Sequence, residues 1–169
     1  SPAGDLTYTP DPAQSGTAVV TVSISDNGGT SNGGVDHSSP QTFTITVTPD
    51  LTPPGVVSVA VPANGTYIAG QNLDFTVNFN ENVTVNTAGG TPYIPLTLNT
   101  GGTVTASYQS GSGTSALVFG YTVAAGNNDN NGISLGSSIN LNGGTIKDAG
   151  GNDAVLLLNS VGSTVAVWV

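Results

Sequence analysis

Few side chains in this chain can do chemistry, and their types narrow the choice at once. Ten acidic residues stand against one Lys or Arg and one histidine, with no cysteine and no methionine. Without Cys there is no thiol nucleophile, no disulfide and no Cys-based zinc site. His37 is the sole histidine, so any Ser-His-Asp arrangement or imidazole metal site would rest on one residue of a polar loop. Asp74 and Glu81 are the acids nearest the middle strands. A glycosidase pair needs its carboxyls about 5–10 Å apart across a cleft. Asp74 alternates outward on a regular strand pattern and Glu81 sits in the polar triplet Asn80-Glu81-Asn82, read as a turn. The expectation is a protein that is not an enzyme.

Carboxylates in oxygen-rich loops suit a different task. Calcium takes 6–8 oxygen ligands, mostly carboxylates and carbonyls. Asp26 and Asp36 bracket one long polar loop and Asp50 follows in a junction, so the three converge if the loop folds back toward that junction. Asp129 is the carboxylate of Asn127-Asn128-Asp129-Asn130-Asn131-Gly132, a faint echo of a calcium loop that lacks the distal Glu. Asp26, Asp36, Asp50 and Asp129 are the candidate metal ligands, and calcium is the candidate cofactor. The plainer reading makes Asp26 and Asn27 turn formers, Asp36 a solvated loop acid and 127–132 a Gly/Asn turn. Asp148 and Asp153 flank Ala149-Gly150-Gly151-Asn152 and read as an Asp-stabilised turn. Lys147 reads as a surface ion-pair partner rather than an isopeptide lysine.

The elements that must position these acids are strands. In 17–25, Val20, Val22 and Ile24 fall on one face, and in 42–48 Phe43, Ile45 and Val47 do the same. Period-2 alternation with β-branched residues is the signature of half-buried antiparallel strands. The two runs make a hairpin with a long tip, preceded by a short strand at 6–9 that ends at Pro10. After 50–55, which contains Pro53-Pro54, strands resume. Proline fixes φ and donates no hydrogen bond, so no central strand crosses this stretch and it reads as a stiff linker. Beyond it lie 56–61, then Leu73, Phe75, Val77 and Phe79 alternating with Asp74, Thr76, Asn78 and Asn80, then 83–85. Further strands are expected at 93–98 (with Pro95 marking an edge or bulge), 104–108, 117–123, 139–146, 155–158 and 164–169. Trp168 is set opposite Val165, Val167 and Val169, where it covers a sandwich edge or packs on a neighbouring module, or else offers a sugar platform or an interface anchor. No helical window of useful length occurs.

Fold class follows: all-β, tandem antiparallel β-sandwiches, the first incomplete. Residues 1–49 hold three strands where a sandwich needs roughly seven. They are expected to be the C-terminal part of a module that takes strands from elsewhere, with 50–55 the linker and 56–169 a complete sandwich. The apolar 164–169 is a plausible donor strand.

Composition limits the partners. A net charge of −9 with one cation excludes a basic nucleic-acid groove and disfavours anionic lipid. Nothing at Ser1 resembles a signal peptide, and no run approaches about 20 apolar residues, so no membrane insertion is expected. Low charge with Thr, Asn and Gly in abundance suggests an extracellular or bacterial cell-surface setting.

Particular motifs add a resemblance. Tyr8-Thr9-Pro10, Gly16-Thr17-Ala18, Asp26-Asn27-Gly28-Gly29 and the strand from Pro40 to Val47 resemble the C-terminal half of cadherin-like repeats of large bacterial adhesins. Val61-Pro62-Ala63-Asn64-Gly65, Phe79-Asn80-Glu81-Asn82-Val83 and Ile146-Lys147-Asp148-Ala149-Gly150-Gly151-Asn152 resemble bacterial Ig-like repeats of surface and S-layer-type proteins. The resemblance implies a stalk, spacer or fibre subunit, often stiffened by calcium, whose partners are other copies of itself or adjacent repeat modules. The expected function is a structural extracellular module of a surface fibre or adhesin stalk, assembling head-to-tail through its unfinished first sandwich. The alternative is a calcium-dependent carbohydrate- or surface-binding adhesion module.

Overall fold

The computed structural model describes residues 6–11 and 14–169. The chain divides into two compact units, Ser1–Asp50 and Leu51–Val169. Both are all-β and antiparallel in their main pairings; no helix among the described residues is long and apolar enough to cross a membrane.

The first unit is a hairpin. β1 (Gly16–Val22) pairs antiparallel with β2 (Gln41–Val47), Gly16 opposite Val47 and Val22 opposite Gln41. The register sets Val20 opposite Phe43 and Ala18 opposite Ile45, so both apolar sets fall on one face. Thr17, Val19 and Thr21 face the other way beside Thr46, Thr44 and Thr42. Between the strands runs a long loop with one 3-10 turn at Ser31–Gly33. Residues 6–9 form no strand. Pro10 ends that run, and its few residues find no ladder to join.

The second unit carries the core. Its strands are β3 (Val56–Ala60), β4 (Gly65–Thr66), β5 (Asn72–Asn86), β6 (Tyr93–Leu98), β7 (Gly102–Ser110), β8 (Thr114–Thr122), β9 (Ser134–Leu135), β10 (Thr145–Lys147) and β11 (Val167–Trp168). The sheet order is β10-β5-β8-β7-β6-β9, with β3 also on β5. The result is a curled half-barrel sheet. Residues 154–162 carry the curl onward by backbone bonds to both sides. Val155 and Gly162 donate to the carbonyls of Pro54 and Val59, while Leu156 and Ser137 accept from Ile139 and Leu158. Ala154, Leu156 and Leu158 pack on the core from this segment.

The alternation seen in the sequence is what fills the interior. Leu73, Phe75, Val77 and Phe79 of β5 are buried, as are Leu117 and Phe119 of β8. Ile94, Leu96 and Leu98 of β6 join them. Pro95 turns its missing N–H toward the β9 side, where the ladder is short; its carbonyl there accepts from Gly136.

Further local expectations change: the run 155–158 forms no strand, only single bridges to Gly55 and Ser138. The triplet Asn80-Glu81-Asn82 does not turn the chain but lies within the fifteen-residue β5, at a register shift against β8. There β5 exchanges β3 for β10 as its neighbour. The run 139–146 is broken by a turn at Asn142 (φ 51°) and Gly143 (φ 88°), leaving only β10 as a named strand. Finally, 164–169 is no free donor strand. Val167 and Val169 are buried, and the segment bonds to Gly65, Tyr67, Asp129 and Ile133.

Candidate functional sites

The first candidate group lies at the loop end of the hairpin. The N–H of Asp26 donates to the Asp36 carbonyl at 3.0 Å, and Ser25 bridges His37. One carboxylate oxygen of Asp26 accepts from the N–H of Gly28 at 2.9 Å, a turn in which the side chain caps its own backbone. Asp26, Asp36, His37 and Ser38 line one hollow with Ile24 and Val35. Within it, Oδ1 of Asp36 is shielded from solvent and has no hydrogen-bond partner among the described residues. A shielded, unpaired carboxylate oxygen is costly, and a cation ligated there would relieve it.

Asp50 does not join this group. It follows β2 at the Gly16–Val47 end of the hairpin, whereas Asp26 and Asp36 flank the opposite end. Seven paired residues at about 3.3 Å each separate the two ends. The loop does not fold back toward the junction, because its own bridges hold it over the hairpin tip.

Asp129 is buried in the second unit for a structural reason. Its carboxylate accepts from the backbone N–H of Asn99 at 3.2 Å and of Asn131 at 3.3 Å. Its backbone pairs in both directions with Val169, at 2.6 and 2.8 Å. The residue therefore knots the 99–100 turn, its own loop and the last strand together. Asp148 plays a similar part after β10. Both its carboxylate oxygens accept from Asn152, at 2.8 Å each. Burial on its own would raise this carboxyl, but the Asn152 side chain and the N–H groups of Asn152, Gly151 and Gly150 together outweigh it and hold it below the usual carboxylate range. Lys147 pairs with Asp153 at 2.7 Å across this turn rather than with its neighbour Asp148.

Two pairings were not legible beforehand. Glu81 and Asp148 place carboxylate oxygens within 4.8 Å of each other. The β5–β10 register, with Thr84 opposite Lys147, runs the residues before one past those after the other. Close carboxylates suit a shared cation, and an acidic group of this kind could hold a metal ion. Asp74 is seven residues from Glu81 on the same strand, about 23 Å away, which removes the glycosidase pairing. The second unforeseen grouping surrounds Trp168. The parallel β4–β11 pair sets Trp168 beside Thr66, and both line a hollow with Asn128, Asp129, Asn130 and Val169.

Compared with protein-family models, curated protein sequences and solved structures, the chain matches none.

Proposed function

We propose that this chain is a structural module of an extracellular bacterial surface fibre or adhesin stalk. In this reading it carries two sandwich-type modules in tandem, cadherin-like and then Ig-like. The first is completed by strands from another copy of the chain or an adjacent repeat. One observation carries the reading. In the first unit Val22 and Phe43 remain about half exposed on the apolar face of a two-stranded hairpin. Among the described residues, each strand pairs only with the other, so each keeps an open backbone edge. A lone hairpin is marginal in water, and an open edge beside an apolar face is what strand addition uses. At the Gly16–Val47 end, Tyr8 and Pro10 lie beside Ala18, Ile45 and Val47 around a hollow of about 410 Å³, a seat for an added side chain.

Head-to-tail completion makes a heterologous contact, which generates fibres when the rotation does not close. Since 164–169 is engaged in its own unit, that segment is not the donor. Electron microscopy and sedimentation of the purified chain test this. Filaments or oligomers that vanish in Val22→Lys/Phe43→Lys support it. Monomers at every concentration and ionic condition would remove the fibre reading.

Calcium-dependent adhesion is the second reading, favoured by the unpaired, shielded Oδ1 of Asp36 beside Asp26. A rise in Tm with calcium at about millimolar concentration, the range of weak extracellular sites, is its expected result.

A further inference from the structure

The hollow beside Trp168 uses none of the hairpin residues on which both readings above rest. Trp168 is the single tryptophan of the chain and is 43% exposed, while its neighbours Val167 and Val169 are buried. Its indole N–H donates to the Val165 carbonyl at 3.1 Å. That bond fixes the ring by one edge and spends its only donor inside the protein, so what the ring offers outward is an apolar surface.

Around this surface stand groups of a different kind. Asn128 is held through its backbone, which pairs in both directions with Thr100, and Asn130 is held by a backbone bond to the side chain of Asn99 at 3.1 Å. Both residues line the hollow together with Thr66. Asp129 anchors the loop from beneath through Asn99, Asn131 and Val169. Two backbone ladders and a buried carboxylate therefore hold the loop backbone beside the platform.

We propose that this hollow binds a neutral saccharide. A sugar ring has an apolar C–H face and a rim of hydroxyls that both donate and accept. An aromatic surface among two asparagines and a threonine is the complementary chemistry, an apolar floor with a few polar residues beside it. The volume is about 270 Å³. That is just below the roughly 300–1,000 Å³ of pockets that engulf drug-sized ligands, and it fits one ring lying across the platform rather than a buried ligand. Charge narrows the class further. With one Lys or Arg against ten acids, the surface repels uronic or sulfated chains and leaves the neutral ones. This proposal is independent of fibre assembly, since every residue it uses lies in Leu51–Val169.

The single indole reports directly on its own site. The full chain is titrated with soluble neutral oligosaccharides of glucose, mannose, galactose and N-acetylglucosamine, with an alginate oligomer as the anionic control. At least one neutral series should change the tryptophan emission saturably, and alginate should not. By calorimetry, Trp168→Ala should lose about thirtyfold or more in affinity, as for a binding-site aromatic worth 2 kcal/mol or more. Asn128→Ala/Asn130→Ala should lose about tenfold, the loss of one or two neutral hydrogen bonds. Trp168→Phe, which keeps an aromatic surface, should retain part of the affinity, whereas a purely structural role for Trp168 would leave any saccharide binding equal in all variants. An emission unmoved by every neutral series overturns the proposal. So does binding that survives in both alanine variants. A shift of emission with protein concentration alone would give the hollow to a second copy instead and overturn it equally.

Discussion

Two pairs of strands in this molecule carry the same sequence pattern and meet different ends. β5 and β8 alternate apolar and polar residues, and so do β1 and β2. In the first pair the apolar face closes over a core: Phe75 faces Phe119 across the ladder, and both are fully buried. In the second pair Val20 faces Phe43 in the same manner, yet Phe43 is 45% exposed. Alternation makes a sheet with an apolar side; it does not supply the layer that covers that side. Burial of a Phe side chain is worth about 1.5–3 kcal/mol, so the second unit gains what the hairpin does not.

The sharpest break of this comparison is to truncate both phenylalanines. Phe75→Ala should cost about 3–5 kcal/mol in chemical denaturation, because a buried ring leaves a cavity. Phe43→Ala should cost less than about 0.5 kcal/mol in the isolated chain, as surface substitutions do. If Phe43→Ala costs several kcal/mol only at concentrations where oligomers form, the missing layer is another copy of the chain. Equal costs for the two variants in a monomer would erase the distinction between the units.

Backbone constraint in the second unit comes next. Gly132 has φ 96°, and a Cβ there would stand 2.5 Å from the Val165 Cα and 2.6 Å from the Thr164 carbonyl oxygen. Gly132→Ala should destabilise by about 1–3 kcal/mol, read as a lowered urea midpoint. Stability unaffected by this change would mean that the 127–132 loop is not fastened against 164–165.

Removing the Asp129 carboxylate tests the same fastening from its polar side. Asp129→Ala leaves the N–H groups of Asn99 and Asn131 without their acceptor and should cost about 1–3 kcal/mol. A neutral result would show that solvent replaces the carboxylate freely.

The smallest effect expected is one of pH. Asp148 in the folded state titrates below the usual carboxylate range. It therefore binds protons less readily folded than unfolded, stabilising the fold above the unfolded-state value and losing that contribution as pH falls through the folded-state value. Urea midpoints of residues 51–169 should fall across that acid window. Asp148→Asn should remove part of the slope, and an unchanged acid slope would show that other carboxylates dominate.

Much of this could be read along the chain, and the reasons are local. Leu73, Phe75, Val77 and Phe79 announced their face because a strand's side chains alternate irrespective of what lies across from them. The Asp148–Asn152 turn was legible because its partners are four residues apart. The triplet Asn80-Glu81-Asn82 misled, since three polar residues in a row signal a turn equally well when they form a bulge where a strand changes neighbours. The terminal run 164–169 misled in another way. Its apolar pattern promised a strand but could not say which chain would take it.

What the sequence by itself determined is therefore the all-β character, the faces of the main strands and the scarcity of cationic chemistry. Each depends on residue type and on spacings of a few positions. What only the tertiary structure decided is which distant residues share a place. Thr66 meets Trp168, and Glu81 meets Asp148, through ladder registers that no short-range pattern encodes. Asp26 and Asp36 are held apart from Asp50 for the complementary reason, because a hairpin of fixed length stands between them. Register is set by the packing of the whole face, so the sites that depend on it come into being only when the sheet curls.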